Sequence, residues 1–253
     1  MLVYPQLITG ALSQFPLRKT RRKRTVRNRA ADGTEIKLSD PAAETTEWEL
    51  EYADLNNDEA QALADFFTAA EGTLNGFTFL DPMGNLLASS EHLDAQVWQK
   101  DPMLAVAADA GIWRLTNSGA GPQSLSQTLQ TPGDYQYCLS AYVRADQEVS
   151  VRLIVGEQSA QLPVHGNWAR VNLAATGTGG SESVRFGIEI PAETTLQIHS
   201  IQAEPQGRAS VYKPSTRGGV YSDAHLGSDA LELTSTGVKR HSCRVKIIHA
   251  NHI

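Results

Sequence analysis

Seven histidines, twenty-eight carboxylate side chains and two cysteines are the groups in this 253-residue chain that could do acid–base, nucleophilic or metal chemistry. Catalysis needs a nucleophile, a base and an orienting group close together. His92, His165, His199, His225, His241, His249 and His252 form no HExxH or HxH pair at ligand spacing. His249 and His252 stand three apart at the chain end, where fraying is the expectation. No GxSxG, P-loop or GxGxxG occurs. "GTGG" at 177–180 reads as a turn between strands, because no helix follows it to cradle a phosphate. Glu47 and Glu49 share one face of a strand and read as a solvated pair. Cys138 and Cys243 lie in apolar runs without a CxxC spacing and are expected as buried free thiols, with nothing arguing for an oxidising compartment. The reading is of a protein that is not an enzyme, with no catalytic residue, metal or cofactor.

The other conspicuous group is cationic. "LRKTRRKRTVRNR", residues 17–29, holds eight of the twenty-two Lys and Arg residues. Such a block can neutralise phosphates. The rest of the chain is acidic, with fourteen Lys and Arg against twenty-eight Asp and Glu. A basic patch on an acidic body favours any acidic surface, protein as readily as nucleic acid. The apolar share of 41% and charged share of 20% are those of an ordinary soluble globular protein. The first sixteen residues contain Pro5 and lack a basic start, so no signal peptide is read there. No apolar run nears the roughly eighteen residues of a membrane span. A soluble chain made in a cytoplasm, with no membrane insertion, is expected.

The elements that must position these groups are mostly strands. "RKTRRKRTVRNRAADGTEIKLSD" reads as a hairpin about Asp32-Gly33. "TTEWELEYADL" alternates, with Trp48, Leu50 and Tyr52 on one face and Glu47, Glu49 and Glu51 on the other. The glutamates are placed to face the basic strand. The period then changes: Leu55, Ala62, Leu63, Phe66 and Phe67 fall at helical spacing, with Asn56 or Asn57 as cap and Gly72 as stop. "GFTFLDPMGN" is a short strand and turn. From about 88 to 205 the chain reads as strand after strand at roughly ten-residue spacing, the mark of an antiparallel sandwich. The expected strands are "GIWRLTN", "QSLSQTLQ", "YQYCLSAYVRA", "EVSVRLIVG", "WARVNLAAT", "SVRFGIEIP" and "TLQIHSIQAE". After a loop through "ASVYKPSTRGGVY", two strands flank "TSTG", and the last is expected to pair with the N-terminal sheet.

The order "SQFPLRK", charged hairpin, "WELEYADL", helix with "FF", "GTLNGFTFLDPMGN" resembles tailed-bacteriophage or prophage minor tail proteins of the distal-tail or tail-hub type, and "TSTGVKRHSCRVKI" resembles their return strand. The middle, "GIWRLTNSGAGPQSLSQTLQTPGDYQYCLSAYVRADQEVSVRLIVG" to "LQIHSIQAEPQGRASVY", resembles galactose-binding-like carbohydrate-binding modules. The resemblance implies a mainly β protein: a sheet-and-one-helix ring-forming tail domain over 1–88, a jelly-roll type β-sandwich inserted over 89–205, and strands over 206–253 completing the first domain. It also implies a virion component at the tail tip, assembled in the host bacterial cytoplasm. Its partners would be copies of itself in a hexameric ring and neighbouring tube, hub and tip proteins. The basic strand would then supply a subunit interface through Arg18, Lys19, Arg21, Arg22, Lys23, Arg24 and Arg27. A tail lumen lined with arginine would grip passing phosphate, so these residues are placed away from the bore.

In the sandwich, sugar rings would dock on aromatic side chains while amides and guanidinium groups bond the hydroxyls. The candidates are Trp98, Trp113, Tyr135, Tyr142 and Arg144, facing a host surface glycan. Trp168 starts a strand where such modules place a core residue, and of Tyr137 and Tyr142, on opposite strand faces, only one can be in the core. No Asp-rich loop points to calcium. Two other readings stay open: a glycan-binding adhesion module with mere attachment segments, and a nucleic-acid-binding protein acting through residues 17–29.

Overall fold

The charged segment at the start of the chain folds as a long antiparallel hairpin. Strand β1 (Leu17–Arg29) pairs with β2 (Glu35–Leu55), Leu17 opposite Leu50 and Arg29 opposite Glu35. The turn between them holds Gly33 at a φ of 88° and an Asp32 carboxylate that accepts the Thr34 N–H at 2.9 Å. That bond holds the Asp32 carboxyl below the usual range. A computed structural model describes residues 1–177 and 180–251. Thr178, Gly179 and His252, part of the expected GTGG turn and of the terminal histidine pair, lie outside the described residues.

Helix α1 (Asn57–Ala70) follows, then β3 (Phe77–Leu80). The helix begins where Asn56 accepts the Glu59 N–H at 2.9 Å and the Glu59 carboxylate returns a bond to the Asn56 N–H at 3.1 Å, a reciprocal cap. It ends at Glu71, which takes the left-handed conformation (φ 51°) just before Gly72. Its buried face is Ala60, Leu63, Phe66 and Ala70; Ala62 is exposed and Phe67 half-buried. The apolar stripe is therefore narrower than the sequence periodicity implies.

The described residues contain ten further strands between β3 and residue 205, then three more. The ten are β4 (Gln99–Lys100), β5 (Leu104–Asp109), β6 (Ile112–Asn117), β7 (Gln123–Leu129), β8 (Gln136–Arg144), β9 (Val149–Val155), β10 (Gln158–Val164), β11 (Ala169–Thr176), β12 (Val184–Ile190) and β13 (Thr195–Glu204). The last three are β14 (Val220–Leu226), β15 (Leu233–Gly237) and β16 (Arg240–Ala250). The protein is mainly β, and its strands from β1 to β2 and from β4 to β16 pair antiparallel.

The chain divides into two compact units, one of residues 1–7, 13–79 and 221–253, the other of residues 8–12 and 80–220. In the first, a sheet runs β1-β2-β16-β14-β3, with β15 also paired to β16. The final strand β16 lies against β2, Ile247 opposite Trp48 and Val245 opposite Leu50. Alternation along β2 sends Trp48, Leu50 and Tyr52 into the core, each at most 3% exposed. Rings of Tyr4, Phe66, Phe77, Phe79 and Trp48 meet edge-on at 4.8 to 5.6 Å, with aromatic contact adding to burial. Burial pushes the Tyr52 hydroxyl far up, and it shares a 2.9 Å hydrogen bond with Tyr4. The strand β14 falls where the sequence reads as loop; in its "VYSDAHL" the alternation of Val220, Ala224 and Leu226 is interrupted by Ser222 and follows a Gly-Gly, and its partners hold it in the sheet.

In the second unit, two five-stranded sheets run β10-β9-β12-β7-β4 and β11-β8-β13-β6-β5. The apolar core takes every second side chain of three strands: Tyr137, Leu139, Ala141 and Val143 from β8, Val151, Leu153 and Val155 from β9, Phe186, Ile188 and Ile190 from β12; in β8 the intervening Cys138 and Ser140 are buried as well. Strand β10, unnoticed in the sequence, is an edge strand, and that is where Pro163 is tolerated. This unit takes in 80–88 and 206–220 besides the 89–205 expected for the sandwich. The Leu86 N–H bonds the Ala203 carbonyl at 2.8 Å and the Asn85 amide bonds the Ile201 carbonyl at 2.9 Å, which ties the first of these segments to β13. Cys138 and Cys243 are free and buried, and burial pushes both thiols up to about 11.

Candidate functional site

Pairing in the sheet β11-β8-β13 sets three side chains in one row: Arg170 of β11 opposite Tyr142 of β8, and Tyr142 opposite His199 of β13. The Tyr142 and His199 rings are parallel to within 3°, with centroids 5.0 Å apart. That distance is close to the spacing between neighbouring strands. Planes stacked along the inter-strand direction stand upright on the sheet. The Arg170 guanidinium lies 5.6 Å from the Tyr142 centroid and donates from Nη2 to Ser140 Oγ at 2.9 Å; its Nε is enclosed without a hydrogen-bond partner.

A second row lies alongside. Arg144 of β8 is opposite Gln197 of β13, and its Nε donates to the Gln197 side-chain carbonyl. The Arg144 guanidinium covers the Trp168 ring, 4.9 Å from its centroid. The indole also meets His199 at 4.5 Å and 65°. Strand β13 carries a bulge between His199 and Gln202, with Ser200 in the left-handed region at φ 54° and its hydroxyl 2.8 Å from His199 Nδ1. Bulges of this kind re-aim side chains beside functional sites. Desolvation pulls the His199 pKa down against the opposing field of Glu91, so the ring favours its neutral form. Gln197 also lines a hollow of about 220 Å³ with Arg114, Thr116, Ala145, Asp146 and Thr195. There Arg114 is held by Asp109 at 2.7 Å.

This face gathers two of the five expected saccharide contacts, Tyr142 and Arg144. Trp98 and Trp113 are not on it. They are 3% and 8% exposed, and their indole N–H groups donate to the Ser89 and Glu91 carbonyls at 3.1 Å. A tryptophan so buried offers no ring face to a sugar. Tyr135 is half-buried just before β8, seven positions from Tyr142 and so about 20 Å away along the chain. Trp168, expected in the core, is half-buried in the cluster, because it precedes β11 with the same parity as Arg170. Tyr137 is the core member of the Tyr137–Tyr142 pair, at 1% exposure. Trp168, Arg170 and His199 were missed as site residues. Their parity in "WAR" and "QIH" was readable, but not the strand order that makes them neighbours.

The expected interface residues lie along β1. Arg22 donates to Glu47 through Nε at 2.6 Å and Nη2 at 3.2 Å, and Lys246 reaches the same carboxylate at 2.9 Å. These bonds hold the Glu47 carboxyl below the usual glutamate range. Arg18 meets Glu49 at 4.0 Å, Arg24 meets Asp40 at 3.6 Å and Arg27 meets Glu35 at 3.3 Å. Lys19 lies over the Trp48 ring at 5.4 Å. Arg21, Lys23 and Arg29 are exposed and have no ion pair among the described residues. Of the three glutamates expected to face β1, Glu51 pairs instead with Arg244 at 3.2 Å, because β1 stops pairing at Leu50. A hollow of about 940 Å³ borders Arg18, Glu49, Glu51, Arg244 and Lys246, but most of its charges neutralise one another.

Strand β16 covers β2 only from Leu55 to Thr45, so the hairpin beyond Arg22 and Thr45 is a two-stranded arm. The arm exposes Ile36 and Leu38, 48% and 52% accessible and on one face, with Val26 opposite Leu38. Among the described residues no group of three or more His, Cys, Asp or Glu is placed to hold a metal ion, and no helix is long and apolar enough to cross a membrane.

No protein-family model matches the chain, and no curated protein matches it. Among solved structures, the CBM22-1 xylan-binding domain of Xyn10C from Paenibacillus barcinonensis is similar at 14% identity and a TM-score of 0.39, over 54% of this chain and 98% of that one. The second N-terminal cellulose-binding domain of β-1,4-glucanase C from Cellulomonas fimi is similar at 17% identity and a TM-score of 0.38, over 52% of this chain and 99% of that one. The enzymatically active domain of bacteriophage CBA120 tailspike protein 4 is similar at 13% identity and a TM-score of 0.37, over 50% of this chain and 22% of that one. Likeness at this level carries no function across.

Proposed function

We propose that this protein is a non-catalytic structural component of a bacteriophage tail tip, of the distal-tail or hub type, whose sandwich binds saccharide. The saccharide part is carried by one observation: Trp168, His199, Tyr142, Arg144 and Arg170 converge on one sheet face beside a hollow. Aromatic rings supply apolar contact and guanidinium groups supply oriented donors, the two things a sugar needs. A glycan array probed with the full chain tests it. Trp168→Ala is expected to weaken binding about tenfold or more, since it removes both the ring's remaining apolar surface and the support on which the Arg144 guanidinium lies. Binding that is unchanged in this variant removes the face from the proposal.

Assembly is the role of the arm. An isolated two-stranded ribbon is marginal in water, and this one also exposes Ile36 and Leu38. Copies of the chain in a hexameric ring, or adjoining tube, hub and tip proteins, would cover it. The cations free to meet them are Arg21, Lys23 and Arg29. Reversing Arg22 would also put like charge against Glu47, so the cleaner variant is Arg21→Glu with Lys23→Glu. It is expected to abolish assembly, measured by imaging and mass of the particle, without lowering the melting temperature of the subunit. Normal assembly would take these cations out of the interface. The nucleic-acid reading has less support, because Arg18, Arg22, Arg24 and Arg27 each have a carboxylate within 4.0 Å.

A further inference from the structure

We propose that the saccharide taken by the β11-β8-β13 face is acidic, a sugar ring bearing a carboxylate, with Arg144 as its clamp; this rests on the saccharide-binding reading of that face. Three observations lead there. The first concerns the rings. A neutral sugar gains most by lying flat on an open aromatic face. Here Tyr142 has His199 stacked against it at 5.0 Å and Arg170 at 5.6 Å, and Trp168 is covered by Arg144 at 4.9 Å. Much of the ring surface that would stack on a pyranose is already occupied by the protein's own side chains. The guanidinium groups are left as the principal recognition groups.

The second concerns their partners. Arg114 and Arg152 in the same unit are ion-paired, to Asp109 at 2.7 Å and Glu189 at 3.3 Å. Arg144 and Arg170 have no carboxylate partner among the described residues; they are held by Gln197, Ser140 and the two rings. Of the acids in this region, Asp109 holds Arg114 and Glu91 accepts the Tyr212 hydroxyl, while Asp146 lines the hollow. Two permanent positive charges therefore share one face with no ion-paired carboxylate among the described residues.

The third concerns geometry. Among the described residues Arg144 donates a hydrogen bond through Nε alone, which leaves the Nη1 and Nη2 edge of the fork without a hydrogen-bond partner there. Two parallel N–H donors on a planar cation match the two oxygens of a carboxylate, and no hydroxyl pair of a neutral sugar matches them in charge. Arg170, with one Nη2 hydrogen on Ser140 and Nε enclosed, is left to add its charge and its remaining Nη donors. Gln197 fixes the Arg144 fork and also lines the adjoining hollow, so the rest of the sugar has a place beside the clamp.

The experiment is a calorimetric comparison of the full chain against paired oligosaccharides: galacturonic, glucuronic, mannuronic and sialic acid forms, each with its methyl ester. The ester keeps the ring and hydroxyls and removes the charge. At least one acid form is expected to bind ten times tighter than its ester or better. Arg144→Gln is expected to collapse the acid-to-ester affinity ratio to within twofold of one, both forms being measured on the same variant, and Arg144→Lys, which keeps charge but not the fork, is expected to give an intermediate ratio. Circular dichroism melting checks that both variants fold as the parent does. Equal binding of acid and ester overturns the acidic ligand and leaves the saccharide reading standing. Binding of no member of the panel, acid or ester, overturns both.

Discussion

Arginine is used in two different ways in the two units. Along β1, the guanidinium groups of Arg18, Arg22, Arg24 and Arg27 face carboxylates of the neighbouring strand. On the β11-β8-β13 face, Arg144 and Arg170 lie on aromatic rings and are oriented by an amide and a hydroxyl. The first arrangement neutralises charge and fixes strand register, and its exposed pairs are individually weak. The second keeps the charge unspent and restrains the side chain, which lowers the ordering cost when an outside partner arrives. A cation's surroundings, more than its presence, decide whether it serves the fold or a ligand.

The comparison can be broken by experiment, starting with the largest effect expected. Tyr142→Ala removes the centre of the Arg170–Tyr142–His199 row. It is expected to weaken saccharide binding by about tenfold or more, while assembly through the arm proceeds. Loss of assembly together with binding would mean that the two regions are not separate in function. Next is Glu47→Gln. Glu47 is 8% exposed and accepts from both Arg22 and Lys246. Its loss is expected to cost about 1.5–3 kcal/mol of stability in denaturant titration, the range for hydrogen bonds to charged groups. A loss below that range would make this an ordinary surface pair.

The pH dependence separates the regions further. The Glu47 pKa is lowered on folding from 4.5, so its contribution is complete above that value and is lost as pH falls through the folded-state value. The His199 pKa is lowered from 6.5, so the neutral ring is favoured on folding. Above 6.5 its contribution is complete, and it declines as pH falls below 6.5 toward the folded-state value, because the unfolded chain then binds the proton more readily. Melting curves of the parent and of His199→Gln should therefore diverge in slope just below pH 6.5, and those of Glu47→Gln only below about 4.5. The smallest effect is expected for Arg18→Ala, whose 4.0 Å pair is solvent-exposed at both ends: less than about 0.5 kcal/mol.

Much of this contrast is legible in the amino-acid sequence. The alternation of Trp48, Leu50 and Tyr52 against Glu47, Glu49 and Glu51 marks a half-buried strand, and Asp32-Gly33 marks its hairpin. The parity of Tyr137 and Tyr142 separates core from outer face in β8. Less legible were Trp98 and Trp113, because a tryptophan's size suits a ligand platform and a core position alike. The backbone carbonyls of Ser89 and Glu91 that receive their N–H groups are contacts no pattern announces. The strand β14 was unreadable for a related reason: its stability comes from neighbours rather than from its own residues.

Local chemistry in the chain determined most of the strands, β10 and β14 excepted, the helix cap at Asn56, the position of the basic run and which residues share a face of each strand. These depend on backbone geometry with a period of two or 3.6, and on side chains a few positions apart. The tertiary structure alone decided that β11, β8 and β13 lie side by side, so that Trp168, Tyr142 and His199, spread over fifty-seven positions, meet within 5.0 Å. It also decided that β16 stops short of the arm, leaving Ile36 and Leu38 bare. Strand order is set by how two sheets bury their apolar faces together, a property of the whole sandwich that no single segment carries.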